Sequence, residues 1–277
     1  MYRTFIKNNF TYPLRIAKRL ILTGSIHSKK YIECLNSIAH QNLLNKAILN
    51  FSIDIELLDE RKAERSRRIF DELISLVKEH SLSLTWAVMG NINSINLSFP
   101  YLIEKIISVP NQEIASHSFS HPDFTSLNKQ EAIDDIKSSL RCFNERGLSP
   151  KTFIFPWNKA GYIEEIKKAG FESYRGYSNQ TIHRDKEGLI VFPADLCLNP
   201  SGFTSKEIIS LIDEAVRYKI LINIFTHLLE FRDEVELNNF LEPIFSYVKM
   251  CENNDQLDTM TMREITDDIG KGIAGLL

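Results

Sequence analysis

The sequence predicts an α/β fold in which parallel strands are joined by helices. Short apolar runs of strand length alternate with longer segments whose apolar residues recur at helical spacing, and this alternation continues from residue 47 to about residue 270. Polar residues suited to chemistry stand where several apolar runs end. An open sheet and a closed barrel both satisfy this alternation. A barrel is favoured because it gathers the ends of many strands around one mouth.

Each element follows from its local pattern. The predicted strands are residues 47–55, 82–89, 113–116, 152–155, 172–174, 189–192, 220–226 and 257–262. The predicted helices are residues 59–80, 101–109, 128–146, 162–169, 205–219 and 238–251. Asn128 is suited to cap the N-terminus of its helix, and Gly147 and Gly170 are suited to end the helices before them.

The pattern predicts one domain, residues 47–270, with an extension of residues 1–46 before it and a tail of residues 271–277 after it. Apolar and basic residues alternate over residues 14–21 of the extension, which is typical of a basic amphipathic helix. Such a helix either packs across the barrel or touches an anionic membrane surface. The chain shows neither a signal peptide nor an apolar run of spanning length, so we predict a cytoplasmic protein, peripheral to the inner face of the membrane if that helix binds there.

Composition argues against several classes of protein. The chain has 277 residues, 43% hydrophobic and 25% charged, and its 33 basic and 36 acidic residues give a formal net charge of -3. A dedicated nucleic-acid binder would show a basic surplus or stripe, so no nucleic-acid partner is expected. The cysteines are far apart and form no C-x-x-C pair, which predicts reduced thiols: Cys34, Cys142, Cys197 and Cys251.

Two histidines four residues apart, His117 and His121, directly follow the predicted strand 113–116. Neutral imidazoles are the commonest nitrogen ligands of zinc-like metals, although a lone buried histidine is more often an ordinary core residue. Pro122 disfavours a long helix here, so a turn or loop is expected to carry the pair. The spacing and the neighbouring serines favour two metal ligands.

Carboxylate candidates lie at the end of the first strand. Asp54 and Glu56 are separated by one residue and would face the same side of that strand, so one can bind metal while the other acts as a general base. The alternative is a solvated or helix-capping pair. One of these acids with two imidazoles leaves a coordination position open for water, which is the mark of a catalytic metal. His227, at the end of another apolar run, is either a general acid or a structural histidine.

The order of these motifs resembles the polysaccharide deacetylases of the NodB homology type, carbohydrate esterase family 4. The resemblance runs over about residues 48–266 and rests on Ser-Ile-Asp54-Ile-Glu56, His117-Ser-Phe-Ser-His121, Phe155-Pro156 and Thr226-His227. It implies a distorted (β/α)7 barrel. It also implies a divalent metal, with Zn²⁺ preferred and Co²⁺, Ni²⁺ or Mn²⁺ as alternatives.

The resemblance also assigns roles to residues. In the variant of the family whose first motif is Asp-x-Glu, Asp54 is the general base, Glu56 binds metal beside His117 and His121, and His227 is the general acid. Asp195 matches loosely the carboxylate that orients this histidine. The sugar subsite falls to three consecutive residues: Pro156, Trp157 and Asn158.

One position departs from the family pattern. Where the family carries an Arg two residues before the proline, this chain has Ile154, and Arg175 on the next strand is a candidate to supply the guanidinium. The implied activity is removal of an N-acetyl or similar acyl group from an amino sugar, free or nucleotide- or lipid-linked. The alternatives are deformylation, hydrolysis of a cyclic imide or ureide, and a catalytically degenerate carbohydrate-binding barrel.

Overall fold

The computed structural model describes residues 44–57, 59–178, 182–194 and 196–271. The predicted amphipathic helix, the membrane contact of the extension and residues 272–277 of the tail lie outside these ranges. Ten strands are found in the described part of the chain: β1 (Ala47–Ile55), β2 (Thr85–Val88), β3 (Glu113–Ser116), β4 (Thr152–Ile154), β5 (Ser173–Gly176), β6 (His183–Arg184), β7 (Ile190–Pro193), β8 (Leu196–Cys197), β9 (Leu221–His227) and β10 (Leu257–Thr259).

Seven α-helices and three 3-10 turns connect the strands within the described ranges. The helices are α1 (Ala63–His80), α2 (Phe99–Ile107), α3 (Lys129–Asn144), α4 (Ile163–Lys168), α5 (Ser205–Tyr218), α6 (Glu234–Asn253) and α7 (Met262–Gly270). The 3-10 turns are Glu60–Lys62, Pro156–Asn158 and Leu228–Glu230. None of the helices in these ranges is both long and apolar enough to cross a membrane.

The strands form one sheet in the order β6-β7-β5-β4-β3-β2-β1-β9-β8, and β10 pairs with the first residues of β1. All pairs are parallel except β6 with β7. β8 begins three residues after β7 ends, although the two strands lie near opposite edges of the sheet. Three residues span at most about 11 Å, so the sheet curves until its edges are close. The predicted (β/α)7-type barrel is confirmed.

The first strand shows how the barrel separates apolar from polar residues. All nine residues of β1 are buried. Leu49, Phe51, Ile53 and Ile55 belong to the main apolar core, which includes residues of α1, α5 and α6. The alternate positions hold Asn50, Ser52 and Asp54, which therefore line the interior.

One end of the barrel is closed by an apolar plug. Met262, Ile265 and Ile269 of α7 pack against Ile48 and Leu221 near the beginnings of β1 and β9. Thr261 caps α7 through a capping box with Glu264, which fixes where that helix begins. Within the described residues, this plug covers the end of the barrel at which β1 and β9 begin, and the polar interior faces the carboxyl ends of the strands.

The predicted elements agree with the structure in their order and type, apart from the following corrections. The predicted strand 257–262 ends at Thr259, and α7 was not predicted. α6 begins at Glu234, four residues before its predicted start, because the Asp233 side chain accepts a hydrogen bond from the Glu236 amide. The two-residue strands β6 and β8 were also not predicted.

Candidate active site

The register between β1 and β9 places an acid beside a histidine. Asn50 lies opposite Asn223, Ser52 opposite Phe225 and Asp54 opposite His227. Paired residues in a parallel ladder point to the same face, so both polar columns face the interior. The Nε2 of His227 lies 3.5 Å from Oδ2 of Asp54. The sheet itself therefore places these two predicted catalytic side chains together.

The histidine pair lies on a loop after β3. Ser118 and His121 both have a positive φ, near 60°, so the segment is a tight turn, as Pro122 led us to expect. The Gly90 amide donates a hydrogen bond to the Ser118 carbonyl at 2.9 Å. A Cβ atom on Gly90 would lie 3.1 Å from the Phe119 ring, so the absence of a side chain permits this close approach.

Asp135 of α3 holds the same loop from outside the barrel. Its carboxylate accepts hydrogen bonds from the Phe119 and Ser120 amides, at 2.9 and 3.0 Å, and from the Ser120 hydroxyl at 2.6 Å. Asp135 is buried, so these bonds are protected from water. The loop conformation is therefore fixed by a helix as well as by its own turn.

The contact that His117 makes on one side of its ring defines its tautomer. Its Nδ1 lies 2.8 Å from the carbonyl oxygen of Ile154. A carbonyl oxygen only accepts, so Nδ1 carries the proton and Nε2 presents a lone pair. Among the described residues, nothing forms a hydrogen bond with this buried Nε2. The ring therefore has the orientation and the neutral Nδ1–H tautomer that a histidine binding metal through Nε2 requires.

Glu56, His117 and His121 converge. One ligand atom from each residue lies within 4.8 Å of the other two. Oε2 of Glu56 lies 2.5 Å from Nε2 of His121 and 3.7 Å from Nε2 of His117. Burial raises the pKa of Glu56, but its contacts with the two imidazoles outweigh that effect and lower it, so the carboxylate is ionised. One carboxylate and two imidazoles, with the unpartnered nitrogen of His117, fit a zinc-like divalent ion.

Arg175, on β5, contacts the Asp54 carboxylate. Its Nη2 forms an ion pair with Oδ2 of Asp54, and its Nη1 and Nε donate to Ser52 Oγ at 2.8 Å and Asn158 Oδ1 at 2.9 Å. Its guanidinium also lies over the Phe225 ring, 4.2 Å from the centroid. In the ladder, Arg175 pairs directly with Ile154, so the guanidinium arises one strand away from the position where the family carries its arginine.

The Arg175 ion pair leaves Asp54 ionised with one oxygen available. Burial raises the pKa of Asp54, but the charge of Arg175 and the nearby imidazoles outweigh it and lower the pKa. Oδ1 of Asp54 is buried and has no hydrogen-bond partner among the residues that the structure describes. A buried carboxylate oxygen with an unused lone pair is suited to accept a proton.

His227 has a second set of neighbours on its other ring nitrogen. Its Nδ1 lies 3.9 Å from Cys197 Sγ and 3.6 Å from Glu230 Oε1. Burial lowers the pKa of His227, but the contacts with Cys197 and Glu230 and the charge of Asp54 outweigh burial and raise it to about 11. The imidazole is therefore protonated at neutral pH in the metal-free protein.

These groups open into a cleft of about 380 Å³, lined by Glu56, His121, Trp157, Asn158, Tyr177, Cys197, Phe225, His227, Leu229 and Glu230. Trp157 and Tyr177 stand at its edge, with 56% and 68% of their surface exposed. The Trp157 ring lies edge-on to His121 at 5.2 Å. The cleft thus has a charged floor and an aromatic rim.

The structure brings some of the predicted site residues together and leaves others apart. Asp54, Glu56, His117, His121, Arg175 and His227 are brought together. Of the predicted subsite, Trp157 faces the cleft, Asn158 is bonded to Arg175, and Pro156 is buried. Asp195 lies outside the described residues.

Sequence reasoning missed four contributors to the site. Ser52 and Asp135 hold Arg175 and the histidine loop, and Cys197 and Glu230 contact His227. Ser52 shares a strand face with Asp54, which was a detectable signal. The other three contacts depend on tertiary packing and leave no local pattern.

Comparisons with known proteins agree with this architecture. No curated protein matches the chain. A solved structure from Mycobacterium smegmatis described as a polysaccharide deacetylase is similar with a TM-score of 0.63 and 12% identity, covering 83% of this chain and 92% of that one. An allantoinase is similar with a TM-score of 0.60 and 14% identity, covering 80% of this chain and 90% of that one. A peptidoglycan N-acetylglucosamine deacetylase is similar with a TM-score of 0.54 and 14% identity, covering 81% of this chain and 90% of that one.

At these identities the structural likeness establishes the fold. The family is indicated by a separate match, since the model described as polysaccharide deacetylase aligns with residues 59–172. That range contains His117 and His121, while Asp54, Glu56, Arg175 and His227 flank it. Residues 59–172 therefore match the polysaccharide deacetylase family in sequence, and the barrel that contains them agrees with that match.

Proposed function

We propose that this protein is a metal-dependent hydrolase that removes an N-acetyl group from an amino sugar. The single observation that carries the proposal is the convergence of Glu56, His117 and His121 directly beside the Asp54–His227 pair. Ligands for an ion, a buried base and a protonated histidine around one cleft are the components that amide hydrolysis requires.

Glu56, His117 and His121 would hold the metal, with Zn²⁺ preferred and Co²⁺, Ni²⁺ or Mn²⁺ as alternatives. A divalent ion bound there supplies Lewis acidity, which polarises an acyl carbonyl and lowers the pKa of a coordinated water. The protein's own contribution is to fix the donors. The Ile154 carbonyl orients the His117 ring, and the turn held by Asp135 places His121.

The acid–base pair divides the proton transfers of amide hydrolysis. Asp54 accepts a proton from the attacking water through Oδ1, while Arg175 keeps it ionised and holds Oδ2. His227 donates a proton to the amine nitrogen as the C–N bond breaks. The oxygen of the attacking water ends in acetate, and the nitrogen leaves as the free amine of the sugar. Both side chains come from one pair of neighbouring strands, which keeps their separation constant.

The rim of the cleft supports a sugar substrate. The exposed face of an indole stacks on a pyranose ring, and Trp157 stands at the edge of the cleft beside His121. We propose that the sugar is a precursor, nucleotide- or lipid-linked, and that the protein works in the cytoplasm.

Acetate release from a panel of substrates tests the activity. The panel contains N-acetylglucosamine oligomers, a nucleotide-linked N-acetylamino sugar, an N-formylamino sugar and allantoin, each incubated with zinc-loaded protein. We expect acetate from at least one N-acetylated substrate and none from the His121→Ala variant. Formate release alone, or ureide hydrolysis alone, would show that the protein is a different amidohydrolase and not a deacetylase. Tight sugar binding without turnover or bound metal would support a degenerate barrel.

A further inference from the structure

A second group of metal-binding side chains lies at the other side of the cleft. Cys197, His227 and Glu230 each offer a ligand atom within 4.8 Å of the other two. They come from β8, β9 and the 3-10 turn that follows β9. We infer that this group is a second, inhibitory site for a thiophilic divalent cation such as Zn²⁺.

The backbone supports the convergence. Cys197 pairs with Phe225 in the ladder between β8 and β9, and His227 lies two residues beyond Phe225 on the same strand face. The thiol and the imidazole therefore point to the same side. Glu230 lies three residues after His227 in the turn and reaches the same nitrogen.

The spacing of the donors suits zinc. With Zn–S near 2.3 Å and Zn–N and Zn–O near 2.0 Å, ligand atoms of a tetrahedral site lie roughly 3.3–3.6 Å apart. The observed separations are 3.9 Å from Cys197 Sγ to His227 Nδ1 and 3.6 Å from that nitrogen to Glu230 Oε1. The ligand atoms of Cys197 and Glu230 lie within 4.8 Å of each other, so the side chains must move closer together to surround an ion. All three residues line the cleft, so an ion can enter from it.

The donor set separates this group from the Glu56 group. A thiolate, an imidazole and a carboxylate form a soft, zinc-selective set, whereas Glu56, His117 and His121 include no sulfur. The two groups also differ in exposure: Glu230 is 37% exposed, while the side chains of His117 and His121 are at most 3% exposed. We therefore expect weaker and reversible binding at the second site.

The inhibitory consequence rests on the proposed function of His227. That histidine faces Asp54 with Nε2 and faces Cys197 and Glu230 with Nδ1. A cation on Nδ1 displaces the proton there, so the ring can no longer be an imidazolium. The remaining proton on Nε2 is bound much more tightly, and the ring loses its capacity to protonate the leaving amine.

Titration of the metal-free protein with Co²⁺ alone tests the site, because cobalt bound to a thiolate absorbs in the near ultraviolet and cobalt bound only by Glu and His does not. We expect the absorption in the wild type, in His121→Ala and in the control Cys142→Ser, a half-buried cysteine on α3. We expect the absorption to be lost in Cys197→Ser. In Glu230→Gln, the affinity for Co²⁺ should be at least tenfold weaker than in the wild type. Absence of the band from the wild type, or its persistence in Cys197→Ser, would overturn the inference.

Enzyme assays test the inhibition separately. Zinc beyond one equivalent should suppress acetate release by the wild type and by Cys142→Ser, and the zinc concentration for half inhibition should rise at least tenfold in Cys197→Ser. Equal inhibition of all three would refute an inhibitory role. If the protein releases no acetate, the proposed function fails while the cobalt band still decides the site. If it releases acetate but shows no band, only this inference fails.

Discussion

The two sides of the cleft are built differently, although both contain histidine and carboxylate. On one side, His117 and His121 are buried and fixed by backbone contacts, by a tight turn and by Asp135 of α3. On the other side, His227 and Glu230 are partly exposed, and His227 is held by side-chain contacts alone. The first side is a buried, rigid set of candidate ion ligands, and the second is a more exposed candidate proton donor.

This contrast predicts that substitutions on the buried side have the largest effect on metal binding and on kcat. Replacing His117 and His121 together by Ala removes two of three ligands, so we expect loss of bound metal and a fall in kcat of at least about a thousandfold. Elemental analysis and acetate release measure the two effects. His80→Gln, at the C-terminal end of α1, is the control and should keep both metal and activity. Full activity of the double variant would refute the assignment.

The next largest effect is expected at Arg175, whose partner is fully buried. Arg175→Met leaves the Asp54 carboxylate without its counter-charge, which costs about 3–5 kcal/mol of unfolding free energy. Denaturant unfolding measures this loss, and a fall in kcat should accompany it. Arg141→Met, an exposed arginine on α3, should change stability little. A stable Arg175→Met variant with normal kcat would show that the Arg175 ion pair is dispensable.

On the more exposed side, His227→Gln should reduce turnover without removing the metal. We expect kcat to fall by about a hundredfold or more, because the proton donor is lost, while one tightly bound metal per chain remains. The assay is acetate release at a fixed metal content. Loss of the tight metal together with activity would place His227 in the first ion site and erase the distinction between the two sides.

The smallest effect is expected from Glu230→Gln, which removes one negative neighbour of His227. Because folding raises the pKa of His227 from 6.5 to about 11, its protonation stabilises the fold fully below pH 6.5, and that contribution is lost as the pH rises toward 11. The variant should titrate at lower pH, as followed by imidazole NMR on metal-free protein. Glu234→Gln, on α6, should leave the titration unchanged, and an unchanged pKa in Glu230→Gln would contradict the contact.

The periodic parts of the fold were predictable from sequence, and the shortest elements were not. β1 was predicted with its observed bounds because every second residue from Ala47 to Ile55 is apolar, which is the period of a strand. α7 was missed because the predicted strand 257–262 was extended over the helix start, which the capping box of Thr261 and Glu264 marks. β6 and β8 have two residues each, too few for any periodicity.

The site was predictable where chemistry lies at strand ends. Asp54, His117 and His227 each stand at or directly after the end of a parallel strand, so the barrel brings them to one mouth. Arg175 was predicted only as a candidate, and the ladder explains its position opposite Ile154. Asp135 and Glu230 act through contacts between elements distant in space, for which a single sequence contains no signal.

The most direct test of the central claim is the stoichiometry of tight zinc binding in a Cys197→Ser background, where the second group cannot compete. Calorimetric titration of metal-free protein should give one tight equivalent in that background. The tight equivalent should disappear when Glu56→Gln is added. An unchanged tight equivalent after the loss of Glu56 would contradict a shared ion between β1 and the histidine loop.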